Sequence, residues 1–117
     1  MTLEELYDEI GGNYKSMEER LRKKERIDKF VRLFLKDNSY DTFVQALEEG
    51  DAEEAFRAIH TLKGVCLNLS FDALYGISSE ITEDLREGNL EKGKEALEEL
   101  TACYQKHLRG ILVYTEH

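Results

Sequence analysis

The sequence predicts an all-α fold, an up-down-up-down four-helix bundle with short additional helices at its N-terminus. The chain contains no proline, and good helix formers such as Leu, Glu, Lys, Ala and Arg dominate its composition. Apolar residues recur at intervals of three and four along most of the chain, punctuated by glycines and short polar residues. Four substantial amphipathic segments with short connections are expected to pack as antiparallel neighbours.

The length of 117 residues fits one domain with a single core. A composition that is 41% apolar and 35% charged is too apolar for a disordered chain and too charged for a membrane protein. We therefore expect one globular domain, with N-terminal cap helices over residues 1–26 and the bundle core over residues 27–117.

The net charge of −9 argues against two classes of partner. Nucleic acids and acidic membranes both attract a basic surface, which this chain lacks overall, so we expect it to bind neither. The first residues contain no basic cluster and no long apolar run, which predicts a cytoplasmic protein without a signal peptide or transmembrane segment. Cys66 and Cys103 are not in CxxC spacing, and we interpret them as buried, reduced thiols.

The N-terminal part is predicted to hold short helices. Apolar residues at helical spacing indicate a first helix from Leu3 to Ile10, which Gly11 and Gly12 end. Ser16 followed by Glu19 resembles a capping box and predicts the next helix start. The polar run at 22–26 is a candidate break in the pattern that follows.

The bundle helices are bounded by further signals. Asn38 or Ser39 is expected to cap a helix that Gly50 ends, and Asp51 to cap a helix that runs through Leu69.

Two more helices complete the predicted bundle. Ser70 is expected to cap a helix that Gly88 closes, and Asn89 to start a last helix, predicted to be the longest.

The run AFRAIHTLKGVCL at 55–67 carries the candidate site. On a helix that advances about 100° per residue, five apolar residues lie within about 40° of the direction of Ala55 and form a buried seam. These are Ala55, Ile59, Leu62, Cys66 and Leu69. His60 falls roughly 140° from the seam and is therefore predicted to face water.

Gly64 is an unexpected residue inside this helix, where glycine costs about 1 kcal/mol relative to alanine. Lys63 and Gly64 lie one turn from His60 on the same side. A bare position there would leave room for a phosphoryl group or a partner backbone, and Lys63 would supply positive charge. The neutral ring of histidine suits this task because it is nucleophilic near pH 7 and, once phosphorylated, a good leaving group.

Phe56 and Leu67 flank His60 on the same stripe, and large apolar side chains around an exposed histidine indicate a docking patch. We interpret Phe56, Arg57 and Leu67 as partner-binding residues. The alternative is that the N-terminal helices cover Phe56 and Leu67.

The segment His60-Thr61-Leu62-Lys63-Gly64, within an apolar seam, closely resembles the signature of histidine-containing phosphotransfer (HPt) domains. These domains are four-helix-bundle carriers of multistep phosphorelays. The resemblance extends from about Ile27 to the C-terminus. It implies that His60 is the phosphoacceptor, that Lys63 helps to hold the phosphoryl group, and that Gly64 keeps the approach clear.

We expect a stand-alone, monomeric protein. The resemblance implies that it is a phosphocarrier, which shuttles a phosphoryl group between receiver-domain aspartates of a two-component phosphorelay. The expected partners are response-regulator receiver domains and a hybrid sensor histidine kinase. Because the receiver would bring Mg²⁺ and the aspartate, the chain is expected to have no cofactor, metal site, kinase or phosphatase activity of its own.

Three alternatives remain open. The domain is comparable to the phosphotransfer domain of chemotaxis kinases, although those are followed by further domains. A non-catalytic helical bundle would use the same exposed patch only to bind proteins. An enzyme with His60 as general base would need a second catalytic group, and the sequence shows none at a recognisable spacing from His60.

Structural or incidental roles are expected for His107 and His117.

Overall fold

A computed structural model describes residues 1–116 of the chain. Within them it contains eight α-helices, a 3₁₀ turn at Phe34–Lys36 and no strand, so the all-α prediction is confirmed. The helices are α1 (Leu3–Ile10), α2 (Tyr14–Leu21), α3 (Lys24–Leu33), α4 (Ser39–Glu49), α5 (Ala52–Leu69), α6 (Asp72–Arg86), α7 (Leu90–Glu95) and α8 (Leu97–Thr115).

The long helices α4, α5, α6 and α8 form the predicted four-helix bundle. Helix α4 packs on α5, α5 on α6, and α6 on α8. Helices α1 and α3 contact α8, and α2 contacts α1 and α3. Only two residues separate α4 from α5 and α5 from α6, so these neighbours run antiparallel. None of the helices in the described residues has the length and hydrophobicity that crossing a bilayer requires.

The predicted seam of α5 is confirmed, because all five of its residues are buried: Ala55, Ile59, Leu62, Cys66 and Leu69. Just beyond the seam, Phe71 is the centre of an aromatic cluster. Its ring centroid lies 5.5 Å from Tyr7 of α1, 5.2 Å from Phe34 of the 3₁₀ turn and 5.1 Å from His107 of α8. The turn after α5 is therefore packed against three separate parts of the chain.

The N-terminal helices also satisfy the C-terminal end of α5. The last carbonyls of a helix have no partner within the helix and must find donors elsewhere. The Tyr7 hydroxyl donates to the Leu69 carbonyl at 2.8 Å, and the Arg20 guanidinium donates to the Asn68 carbonyl at 2.9 Å. The Asn13 amide donates to the Ser70 carbonyl at 2.8 Å, so α1 and α2 fix the end of α5.

Two predicted caps are wrong. Asn13 caps α2, and its side chain accepts from the Ser16 amide at 3.0 Å, so the helix begins before the predicted capping box. Ser70 does not start α6. It ends α5 in the left-handed conformation, with φ of 54°, and its hydroxyl accepts from Arg20 at 2.7 Å. Phe71 occupies the N-cap position of α6 instead, because its ring is buried in the aromatic cluster.

Several other boundaries agree with the prediction. Gly11 and Gly50 end α1 and α4, and the break at 22–26 separates α2 from α3. Helix α3 begins at Lys24, within the segment assigned to the N-terminal cap. Asn38 holds the N-cap position of α4, although the Asp37 carboxylate is the group that accepts from the Ser39 amide.

The predicted last helix is two helices. Asn89 caps α7 as expected, and its side chain accepts from the Lys92 amide at 3.2 Å. Helix α7 then ends at Glu95. Its Gly93 is buried, and a Cβ built on Gly93 would lie 3.3 Å from the Leu85 side chain. Helix α7 is therefore packed closely on α6. Helix α8, with 19 residues, is the longest helix described, as predicted.

Candidate functional site

His60 lies in the middle of α5 and is exposed, as its position opposite the seam predicts. Both ends of α5 have hydrogen-bond partners. The Asp51 carboxylate accepts from the Glu54 amide at 3.0 Å at the start of the helix, and α1 and α2 hold its end. The imidazole therefore stands on a helix that is capped at its start and held by α1 and α2 at its end.

The imidazole leans toward the preceding turn of α5. Side chains on a helix tilt toward its N-terminus, so His60 is directed toward Phe56. The two ring centroids are 5.8 Å apart with an interplanar angle of 79°, an edge-to-face contact. Phe56 thus restricts the position of the exposed histidine ring.

An open cavity of about 480 Å³ begins at this contact, between the first turns of α5 and the end of α6. Its lining consists of Ala52, Glu53, Phe56, Arg57, His60, Leu85, Arg86 and Gly88. The guanidinium carbon of Arg86 lies 5.2 Å from the centroid of the Phe56 ring. The sequence pattern does not reveal Arg86, because only the packing of α6 on α5 brings it to the cavity that His60 lines.

Gly64 is half-buried, and a Cβ built on it would meet no atom within 4 Å. Packing within the protein therefore does not require glycine at this position. A larger side chain would tilt toward the N-terminus of α5 and cover His60. Lys63, one turn from His60, makes no ion pair with any residue in the described part of the chain.

The three proposed partner-binding residues differ in their surroundings. Leu67 is 57% exposed, so the N-terminal helices do not cover it and that alternative is wrong for this residue. Phe56 is half-buried, with Arg86 of α6 over its ring. Arg57 is exposed, and its guanidinium pairs with the Glu54 carboxylate at 2.9 Å.

An apolar groove of about 440 Å³ lies farther along α5, between its C-terminal half and helices α2 and α3. Phe30 and Leu33 line it together with Val65 and Leu69. The side chain of Phe30 is 44% exposed, and that of Leu33 is 46% exposed. The exposed Leu67 lies on the same stretch of α5. The sequence pattern does not reveal this groove, because helical spacing alone groups Phe30 with the core residues of α3.

His107 and the two cysteines do not line the cavity that His60 lines. His107 is fully buried, and its Nδ1 is 2.8 Å from the Cys103 carbonyl oxygen. Cys66 is buried as predicted, whereas Cys103 is only partly buried, and burial raises the pKa of both thiols. His117 lies outside the described residues. Among residues 1–116, no group of three or more His, Cys, Asp and Glu side chains is arranged to hold a metal ion.

Comparison with known families finds one match. The family model of the Hpt domain matches residues 29–110, from α3 to α8, so α1 and α2 lie outside the match. Searches of the curated proteins and of the solved structures find no match. Hpt domains are phosphotransfer modules of phosphorelays, carriers that interact with receiver domains and kinases. Because the match covers well over half of the chain and includes all of α5 with His60, the chain belongs to the Hpt domain family.

Proposed function

We propose that this protein carries a phosphoryl group on His60 between the aspartates of receiver domains. The observation that carries the proposal is that His60 is exposed beside an open position at Gly64, whereas His107 is fully buried. An acceptor in a phosphorelay must be reached by a second protein, and His60 meets this requirement.

The proposed transfer is a direct displacement. The unprotonated ring nitrogen of His60 attacks the phosphorus of an aspartyl phosphate on the receiver. The nitrogen–phosphorus bond forms while the bond from phosphorus to the carboxylate oxygen breaks, and the electron pair leaves with that oxygen. The remaining ring N–H proton exchanges with water, and attack by the aspartate of a second receiver reverses these bond changes.

Lys63 and Gly64 have distinct roles in this proposal. Lys63 has no ion-pair partner among the described residues. It lies one helical turn from His60 and supplies positive charge near the phosphoryl group on that residue. Gly64 leaves the approach to the ring open, since no atom of the protein fills the space where a Cβ would stand. The receiver is expected to bring the aspartate and Mg²⁺.

The receiver is expected to dock on the face of α5 that carries Phe56, Arg57 and Leu67. Leu67 supports this most directly, because it is 57% exposed on the helix of the acceptor histidine. A separate apolar groove beside Phe30 and Leu33 lies farther along α5. A hybrid sensor histidine kinase as the upstream partner, a stand-alone monomeric carrier and a cytoplasmic location stay predictions from the sequence.

Incubation with a phosphorylated receiver and Mg²⁺ tests the proposal. We expect the protein to gain an acid-labile, base-stable label, as phosphohistidine does. His60→Gln should lose the label and keep its helical circular dichroism, while His117→Gln, the matched control, should keep both. A label that survives in His60→Gln would exclude this residue as the acceptor.

The alternative of a non-catalytic interaction module predicts a different result. Such a module would bind the receiver through Leu67 and the groove without becoming labelled. Receiver binding by wild-type protein without any label on His60 would therefore favour that alternative.

A further inference from the structure

The basic residues of this acidic chain are concentrated in one segment. Residues 20–36 hold eight of the 16 Lys and Arg side chains but only two of the 25 Asp and Glu side chains. The segment comprises the end of α2, all of α3 and the 3₁₀ turn, and it carries a net charge of +6 within a chain of −9. The overall charge, which argues against acidic membranes as partners, therefore conceals a local reversal of sign.

The two sides of α3 differ in how their charges are paired. Its acidic residues Glu25 and Asp28 lie on one side, where they line a pocket together with Lys24. The Lys24 ammonium pairs with the Glu4 carboxylate at 3.4 Å, and the Arg32 guanidinium pairs with the Asp28 carboxylate at 2.9 Å. The cations on this side of α3 are therefore already paired within the protein.

The other side of α3 carries cations without ion-pair partners. Four exposed residues follow the spacing of one helix face: Arg26, Lys29, Phe30 and Leu33. With an advance of about 100° per residue, Leu33 lies between Lys29 and Arg26 around the helix axis. Neither Arg26 nor Lys29 makes an ion pair within residues 1–116. Free cations and exposed apolar side chains thus alternate on this face.

Phe30 and Leu33 also line the apolar groove between α5 and helices α2 and α3, together with Arg20. The Arg20 guanidinium bonds to the end of α5 through Nη2 alone, so its Nε and Nη1 have no hydrogen-bond partner among the described residues. Asp37 is the acidic residue of the lining, and its carboxylate accepts from the amide and the hydroxyl of Ser39. An anion beside the groove therefore meets free donors.

The acidic cluster at the junction of α4 and α5 is far from this surface. Its carboxylates belong to Glu48, Glu49, Asp51, Glu53 and Glu54. Glu53 is in the first turn of α5, whereas Leu69, which lines the groove, is the last residue of that helix. At about 1.5 Å per residue, the two are about 24 Å apart along the axis. The Debye length at physiological ionic strength is about 8 Å, so the repulsion of an anion at α3 by this cluster is largely screened.

We propose that the exposed face of α3, with the groove beside it, binds the surface of membranes that contain anionic phospholipids. Arg26 and Lys29 contact lipid phosphates, while Phe30 and Leu33 enter the boundary between headgroups and acyl chains. The alternation favours a lipid surface over an acidic protein, because long basic side chains reach the phosphates while their apolar neighbours stay in hydrocarbon. This binding requires no phosphorylation of His60.

Co-sedimentation with vesicles at physiological salt tests the proposal. We expect the protein to bind vesicles made of equal parts of phosphatidylcholine and phosphatidylglycerol but not vesicles of phosphatidylcholine alone. The double variant Arg26→Gln/Lys29→Gln should bind the mixed vesicles roughly 30-fold more weakly, because two cations beside the anionic surface are lost. Lys106→Gln/Arg109→Gln is the matched control, since it removes two exposed cations at the same spacing from α8, and it should bind as wild type does.

The apolar contribution has its own matched pair of variants. Leu33→Gln should weaken binding to the mixed vesicles roughly fivefold, because less apolar surface leaves water. Leu112→Gln, at a leucine of α8 with a similar exposure of 48%, should bind as wild type does. Circular dichroism verifies that all variants keep their helical content.

Three results would overturn the proposal. Equal weakening in the two double variants would show a general effect of net charge rather than a surface on α3. Wild-type binding by Leu33→Gln would show that this face does not enter the lipid. Wild-type protein that does not bind the mixed vesicles would exclude a membrane and leave an acidic protein segment as the class of partner for this surface. All three are independent of whether His60 accepts a phosphoryl group.

Discussion

The Tyr7 hydroxyl donates a buried hydrogen bond of 2.8 Å to the carbonyl oxygen of Leu69, the last residue of the helix that carries His60. This contact joins α1, which lies outside the part of the chain matched by the Hpt family model, to the phosphoacceptor helix. Burial raises the pKa of the Tyr7 phenol, so the hydroxyl stays a donor at neutral pH. The N-terminal helices therefore stabilise the end of α5.

Tyr7→Phe should lower the free energy of unfolding by about 1–3 kcal/mol, because it leaves the buried Leu69 carbonyl without a donor. Urea denaturation followed by circular dichroism measures this change. Tyr75→Phe is the control, since the hydroxyl of Tyr75 has no hydrogen-bond partner within the described protein. Equal losses in the two variants would contradict the importance of the contact between Tyr7 and Leu69.

Gly64→Ala should raise the free energy of unfolding by about 1 kcal/mol, because alanine has the higher helix propensity and its Cβ meets open space. Gly64→Gln should also fold at least as well as wild type. It should nevertheless transfer phosphoryl groups slowly, since the longer side chain tilts toward His60. Urea denaturation and the rate of label transfer from a receiver measure the two effects.

Two controls separate stability from access at Gly64. Gly76→Ala, in the exposed middle of α6 and also free of neighbours within 4 Å, should give a similar gain in stability. Ala102→Gln, on the exposed face of α8, should not slow transfer. If Gly64→Gln transfers at the wild-type rate, open approach is not the reason for glycine.

Leu67→Glu should raise the KM for the phosphorylated receiver by about tenfold, because burying a leucine contributes roughly 1.5–3 kcal/mol to binding. The fold should tolerate the change, since Leu67 is 57% exposed. Loading by phosphoramidate, a small phosphoryl donor, should be unchanged, because it needs no docking surface. Leu112→Glu, at a 48% exposed leucine of α8, is the control, and an equal KM in both variants would argue against docking at Leu67.

His107 should make the stability of the protein depend on pH. Burial lowers the pKa of His107 from its ordinary value of 6.5, and the bond to the Cys103 carbonyl offsets this only in part. The unfolded chain then binds more protons than the folded one, so stability is complete above about pH 6.5 and falls as the pH drops below it. For one titrating group, the free energy of unfolding changes by at most about 1.4 kcal/mol per pH unit.

Urea denaturation between pH 5.5 and 7.5 tests this dependence, with His107→Phe as the comparison. The aromatic ring of phenylalanine can keep the contact with Phe71 but does not titrate. The variant should show a flatter profile, and an unchanged slope would mean that another group is responsible.

Much of the α5 site could be predicted from the sequence, because helical periodicity alone decides which residues of one helix share a face. The buried seam and the exposure of His60 follow from this periodicity, and the structure confirms both. Arg86 could not be found in this way, since its place beside Phe56 depends on how α6 packs on α5.

The errors in capping have a similar cause. Ser16 and Ser70 both have the side chain of a good N-cap, yet tertiary contacts decide their roles. The Ser70 hydroxyl donates to that of Ser16 at 3.1 Å, and Ser70 accepts from Arg20. These serines join α2 to the end of α5 rather than start helices, a function that no local pattern indicates.

Mapping of the phosphoryl group tests the central claim most directly. The protein is incubated with a phosphorylated receiver and Mg²⁺, digested under alkaline conditions that preserve phosphohistidine, and analysed by mass spectrometry. We predict that the phosphoryl group lies on the peptide that contains His60 and that a second receiver removes it. A phosphoryl group on any other residue, or none on the protein, would contradict the account.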